Sequence, residues 1–425
     1  MAIHQFKQTH RPTSLLGQQK HPTKRLPMPR ATIPLLKDHH SHPLLYAAFA
    51  KSVQLQNVRS KSEAERLIRE AAESSQDTDG GLIVANGWRS NLFQWTDMEL
   101  EQLPPVAIFN LSLHSLLLNQ GAREILIGHY GAAISNLDDR DWYESNLRVV
   151  WNWFANLCAS ADALTQFYAG LLSQGVCYAE EMLLVDERET ELFEEADLLE
   201  RTKFWAAPDT FCGLSTEAKN RVHGLKLFTD GAIGSRTAAM KRPFLGDPDD
   251  PSNFGMLIYS DEDFLTVLAE CFSTNKSLAV HAIGDRAIEQ VIVGLEESGD
   301  AIENAGEIRI EHAQMIDLNL AQRAKTLGVK LSMQPNFTAD SVDYTDRLDV
   351  EYCRSNNPFR MLIDQAGFVP GKDLIFGSDG MPHGVEFATE QSFRPSLASQ
   401  RLTIDEFVAG YCWNDESWGT VEVEY

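Results

Sequence analysis

At 425 residues the chain exceeds the roughly 250–300 at which a single hydrophobic core stops growing, which excludes small scaffolds and suits one elaborated barrel. Its 43% hydrophobic and 23% charged residues are ordinary for a globular protein, and no apolar run nears the ~18 residues a membrane span needs, which excludes disordered, fibrous and membrane-spanning classes. Acids outnumber bases 61 to 37, a net charge of −24 that repels phosphate backbones and anionic lipid, so nucleic acid and membrane surfaces are excluded as main partners.

The charge is uneven. Seven Lys or Arg and no acid stand at positions 7, 11, 20, 24, 25, 30 and 37 of the first 37 residues. Prolines 12, 22, 27, 29 and 34 oppose a helix there, and the roughly 7–15-residue apolar stretch of a secretory signal is missing. Residues 1–34 are therefore expected to be an extended, basic, Pro-rich arm. The cysteines at 158, 177, 212, 271, 353 and 412 are scattered singly, without a Cys-Xaa-Xaa-Cys pair, as in a reduced, cytoplasmic protein.

Beyond the arm, Ser62 and Glu65 form a capping box before Ala64, Leu67, Ile68, Ala71 and Ala72, which predicts a helix to about Ser75, ended by a turn over 77–81. A strand over 82–85, a second capping box at Thr96 and Glu99, and a strand over 106–109 follow. Ten acids against one base between 180 and 200, punctuated by Leu192, Phe193, Ala196 and Leu199, read as a solvated amphipathic helix. In the second half apolar runs recur at 224–228, 278–280, 308–310, 329–333 and 374–376. Helical stretches at 262–272, 285–297 and 318–327 lie between them. Alternation of this kind predicts parallel strands in right-handed βαβ units. A (β/α)8 barrel of about 250 residues allots about 31 to each unit, and His281 and His312 stand one unit apart.

Metal-capable residues sit at the ends of these runs. His40 and His42 in Lys37-Asp38-His39-His40-Ser41-His42-Pro43 share one face of a strand and can grip one ion. His281 ends Leu278-Ala279-Val280, His312 ends Ile308-Arg309-Ile310-Glu311, and Asp379 follows Leu374-Ile375-Phe376-Gly377-Ser378. Lys226 lies inside the apolar strand Gly224-Leu225-Lys226-Leu227-Phe228, where a bare ammonium is costly unless an acid such as Asp230 pairs with it.

The order His-Xaa-His, Lys, His, His, Asp resembles that of the amidohydrolase superfamily. The phrases LKLFTDGAIGSRTAAM, AVHAIGDRAIEQVI, RIEHAQ, SMQPNF and FGSDGMP are similar to its amidohydrolase-3 branch, which includes N-substituted formamide deformylase. The resemblance is strong over 38–42 and 224–382. It implies a metal-dependent hydrolase of amide-type C–N bonds on a distorted (β/α)8 TIM barrel, with one or two divalent ions, zinc in the first place. Carried over residue by residue, it implies that His40 and His42 bind a first metal and that His281 and His312 bind a second. A carboxylated Lys226 would bridge the two, and Asp379 would bind metal and take the proton of the attacking water. Leu113-His114-Ser115 resembles a stretch near the family's substrate, with the Asp-Gly that precedes it there replaced by Ser-Leu here. His114 is thus a candidate substrate contact, as are Arg236 in the Gly- and Pro-rich segment 229–255, a candidate lid, and His383 beyond Asp379.

The chain departs from the family pattern at its ends and in its first half. Few residues precede His40 and 46 follow Asp379, so the family's terminal β-sandwich is expected to be absent or vestigial. Between His42 and Lys226 lie 184 positions where three barrel units need roughly 93, so about 90 residues are expected to form an insertion within about 47–160. The expected partner is a small-molecule substrate, and a homodimer is compatible. Ester or lactone hydrolysis on the same site, or a non-catalytic metal-binding interaction protein, are the alternatives.

Overall fold

The computed structural model describes residues 29–425 apart from 51, 75–80, 112, 132–135, 138, 148, 151–152, 155–158 and 248–249, so most of the predicted arm, the 77–80 turn and Cys158 lie outside the described residues. The strands are β1 (Arg30–Pro34), β2 (Leu36–Ser41), β3 (Val53–Gln54), β4 (Ile83–Trp88), β5 (Val106–Asn110), β6 (Leu116–Leu118), β7 (Val176–Leu184), β8 (Thr202–Ala206), β9 (Val222–Phe228), β10 (Ser277–Ala282), β11 (Ile308–His312), β12 (Lys330–Met333), β13 (Leu374–Phe376) and β14 (Thr420–Glu424).

Eight of them form one sheet in the order β2-β7-β8-β9-β10-β11-β12-β13, every registered pair parallel. Helices carry their apolar stripes to its outer face. The helix Asp285–Glu297, for instance, buries Ala287, Ile288, Val291, Ile292 and Leu295 at helical spacing. The amide of Asp379 donates to the His40 carbonyl at 2.8 Å, and the Asp38 carboxylate accepts from the amide and hydroxyl of Ser378. These bonds lace the end of the eighth strand to the first, and the sheet is the near-closed (β/α)8 barrel that the alternation predicted.

Between β2 and β7 the chain builds a lobe around a second sheet, ordered β3-β4-β5-β6, in which β3, β4 and β5 are parallel and β6 is antiparallel. Its strands are apolar on both faces. Ile83, Val106 and Ile108 pack with Ile68 of the helix Lys61–Ser74, while Val84, Ala107 and Phe109 pack with Phe49, Leu183 and Val185 of the barrel. Burial on both faces is what a continuous apolar run provides, and it seats the lobe on the barrel wall.

Three local expectations change. The helix Lys61–Ser74 is capped by Ser60, whose hydroxyl accepts from the Glu63 amide, two residues before the expected Ser62. The acidic run is not one helix: Glu180 and Glu181 belong to β7 and lie buried in the barrel, and the helix begins only at Glu187. Glu180 is stable there because Arg309 and Trp205 bond it from within the barrel, at 3.0 and 2.8 Å. At the N-terminus Arg30–Pro34 is a strand, paired antiparallel with Thr420–Glu424, because Ile33 and Val423 bury against the barrel wall. Among the described residues, the two ends meet in this two-stranded ribbon.

Candidate active site

Strand alternation aims Lys226 and His281 into the barrel mouth, since each follows by two a small residue, Gly224 or Ala279, that packs on the central Trp205. His312 follows Arg309 and Glu311 at the wrong parity. Its φ of 69°, with 44° at Ala313, turns the chain left-handed and swings its ring into the same mouth. Asp379, with φ 55°, is turned in the same way beyond β13.

The tightest cluster is His40, His312 and Asp379, whose donor atoms lie within 4.8 Å of one another. His42 Nε2 is 3.5 Å from an Asp379 oxygen, and the His281 ring is 4.5 Å from that of His312. The chamber they line holds about 50 Å³. Burial, reinforced by the charge of Lys226, holds His40, His42 and His312 well below the usual imidazole range, so they are neutral at pH 7. In two of them the outer nitrogen is committed: His40 Nδ1 meets Glu311 at 2.5 Å and His312 Nδ1 meets the Gln334 side-chain oxygen at 2.8 Å. Both partners accept, so each ring carries its proton there and presents Nε2 as a lone pair, the form a metal ligand needs.

Lys226 is 1% exposed, and its amine has no hydrogen-bond partner among the described residues. Asp230, the expected alternative partner, is spent elsewhere: its carboxylate accepts from the amides of Ala239, Ile283 and Gly284 and lies 3.3 Å from His281 Nε2. Burial draws Lys226 down to about 8 against the pull of Glu311 and Asp379. Burial likewise pushes Asp379 up to about 7, against the opposing pull of Lys226. An orphaned buried amine beside neutral imidazoles and a carboxylate is a donor set that fits a divalent ion.

The lobe supplies His114 to the same chamber, its ring 5.9 Å from that of His281. Glu144, also of the lobe, accepts from His114 Nδ1 at 2.7 Å and from the Thr237 hydroxyl at 2.6 Å. Burial alone would lower His114, but Glu144 outweighs it and the imidazole is raised. His383 bonds the Ser41 hydroxyl at 2.8 Å, stands edge-on to Tyr46, and is driven down to about 3 by burial. It lines an outer cavity of about 1380 Å³, as does Arg236, and neither lines the histidine chamber. The segment 229–255 is tied down by backbone bonds such as Met256 to Thr237 and forms part of the cavity wall.

Glu311, Gln334 and Glu144 were not found from sequence. Glu311 had a signal, a charge inside an apolar strand, which is the same anomaly that marked Lys226.

Comparison with known proteins agrees with this geometry. The model of the amidohydrolase family matches residues 30–385. Over 142 residues the chain is 34% identical to the "Putative amidohydrolase YtcJ" of Bacillus subtilis (strain 168), covering 33% of this chain and 26% of that protein. Over 357 residues it is 22% identical to Protein LONG AFTER FAR-RED 3 of Arabidopsis thaliana, covering 74% of this chain and 60% of that one. The chain thus spans less than two thirds of either relative. An uncharacterized metal-dependent hydrolase from Pyrococcus furiosus superposes with TM-score 0.62 at 22% identity over 89% of this chain and 80% of its own, and one from Pyrococcus horikoshii OT3 does so with the same score and 78% of its own. These last two share the fold. With the family model matched along most of its length, the chain belongs to the amidohydrolase family.

Proposed function

We propose that the chain is a divalent-metal-dependent hydrolase that cleaves an amide-type C–N bond, N-acyl, N-formyl or cyclic, in a small cytoplasmic substrate. The observation that carries this reading is the convergence of His40, His312 and Asp379 beside the unpartnered amine of Lys226. His40, His42, His281 and His312 would hold the metal, with Asp379 beside them. Imidazole and carboxylate donors favour zinc. If the Lys226 amine adds CO2 and loses a proton, it becomes a carbamate, an anion that would suit a site for two ions. The bound metal would polarise the scissile carbonyl and acidify water.

The chain's own residues account for the proton and the orientation. Asp379 accepts a proton from water as the water oxygen adds to the carbonyl carbon. The same carboxyl then returns the proton to the nitrogen as the C–N bond breaks, so the amine leaves neutral and a carboxylic acid remains. His114, whose charged form Glu144 favours, donates from Nε2 to the carbonyl oxygen as negative charge gathers there. Elemental analysis of protein purified without added metal, followed by a screen of N-acyl, N-formyl and cyclic amides against matched esters, tests the reading. Stoichiometric metal with amide turnover lost to a chelator is expected. Protein without metal, or turnover of the esters alone, overturns it.

A further inference from the structure

The outer cavity has two walls of the same kind. One is the mouth of the barrel, with Phe337, Met381 and Gly234 from its strand-end loops. The other is the carboxyl edge of the lobe's parallel strands: Gln54 at the end of β3 with Gln56 beyond it, Trp88 at the end of β4 with Arg89 beyond it, and Asn110 at the end of β5 with Leu111 beyond it all line it. Open parallel sheets bind ligands at this edge. The lobe thus faces its ligand-binding edge toward the barrel's, across about 1380 Å³, well above the roughly 300–1,000 Å³ of an ordinary small-molecule pocket.

Charge distinguishes this cavity from the rest of the chain. In a protein of net −24 its lining carries Arg59, Arg89, Arg236 and Arg347 against Asp340 and Asp343. Arg347 is engaged, bonded to Asp346 at 2.9 Å and to the Gly234 carbonyl. Arg89 is different: its Nε is buried with no hydrogen-bond partner among the described residues, a cost that a bound anion removes. The pairing register of β4 slips between Ala85 and Trp88, at Gly87 with φ 86°, and such a bulge re-aims the residues beyond it. The charge of Arg89 acts on Tyr344, which lines both the cavity and the histidine chamber.

We propose that Arg89 anchors a carboxylate at the far end of the substrate, so that the preferred substrates are amides whose acyl chain ends in an anion and spans the cavity to the histidine chamber. The inference rests on the hydrolase reading. In a lining that also carries Asp340 and Asp343, the Arg89 guanidinium suits a monoanionic carboxylate better than a dianionic phosphate, whose second charge those acids oppose.

The test is a series of dicarboxylic acid mono-p-nitroanilides of increasing chain length, each beside the monocarboxylic anilide of equal length. At one length kcat/KM for the carboxylate-bearing anilide should exceed that of its partner by roughly 10-fold or more. In Arg89→Gln that ratio should fall toward one, and in Arg89→Lys most of it should survive. Equal kcat/KM at every length, or a preference that Arg89→Gln leaves intact, overturns the proposal. Calorimetric titration of the holoprotein with the free dicarboxylates and the matching monocarboxylates reads the same preference without turnover. If no anilide is cleaved, tighter dicarboxylate binding that Arg89→Gln abolishes upholds the anchor while the amidase reading falls. Equal binding of the two acid series overturns the anchor itself.

Discussion

At the scale of single residues, the division of labour between Asp379 and Glu311 can be separated experimentally. Asp379→Asn keeps the shape and one ligand oxygen but removes the proton acceptor, so kcat should drop ~10²–10⁴-fold with metal content unchanged; a loss under about threefold would rule out the proton role. Glu311 is fully buried, lines neither cavity and acts through His40 Nδ1. Glu311→Gln keeps an acceptor there but loses its charge, so metal affinity, measured by competition with a chelator, should weaken roughly 10–100-fold, with kcat at saturating metal much less affected. A fall in kcat with unaltered affinity would assign Glu311 to the chemistry instead. Lys226→Ala removes the amine that burial leaves orphaned, and activity recovered in part by added small carboxylic acids would identify the missing group as an anion. Failure of every acid to restore turnover, with the metal still bound, would count against the carbamate.

At the scale of elements, strand ends were legible wherever an apolar run stopped at a metal-capable residue, because burial on both faces writes a parallel strand as a continuous hydrophobic stretch. The runs at 278–280, 308–310 and 374–376 correspond to β10, β11 and β13 within a few residues. The same rule failed in β7, where Glu180 and Glu181 interrupt the apolar pattern and their partners, Arg309 and the Leu44 amide, are far away in sequence. The link between His114 and Glu144 was invisible for the same reason, since only the folded lobe brings these residues to Thr237. Closure of the barrel likewise rests on an aspartate that carried no signal of its own. Asp38→Ala would orphan the buried amide and hydroxyl of Ser378, at about 1–3 kcal/mol for each group, and urea unfolding should show a loss of that order. A titration in pH probes Asp340, which burial raises from 3.8 to about 7. The folded protein keeps a proton that the unfolded chain has released, so this group's contribution is full below pH 3.8 and lost as the pH rises through about 7. Asp340→Asn should therefore flatten the fall in stability across that window, and an unchanged slope would show that Asp340 titrates normally.

At the scale of the whole molecule, the two ends of the described chain meet, and what holds them decides how far the ribbon matters. Arg30 pairs with Glu424 at 2.9 Å and with Glu422 at 3.2 Å, but the Arg30 side chain is 64% exposed, and water screens such pairs so that they add little. Two paired strands alone are marginal in water. The remaining contribution is apolar: Ile33 and Val423, 3% and 5% exposed, sit in the main core with Leu36 and Val176, against the outer wall of the barrel. Truncating a buried side chain by two methylene equivalents costs roughly 1.5–3 kcal/mol once the cavity is counted. Val423→Ala should thus lower unfolding stability by about that amount, whereas Arg30→Ala should leave it nearly unchanged. Both variants should bind metal as the parent does, because the ribbon covers the barrel's side and contributes no residue to the histidine chamber. If Arg30→Ala proves the more damaging of the two, ion pairing rather than burial joins the ends. If Val423→Ala depletes the metal, the ribbon is coupled to the mouth through β2, whose Leu36 packs in the same core and whose His40 and Ser41 reach the site.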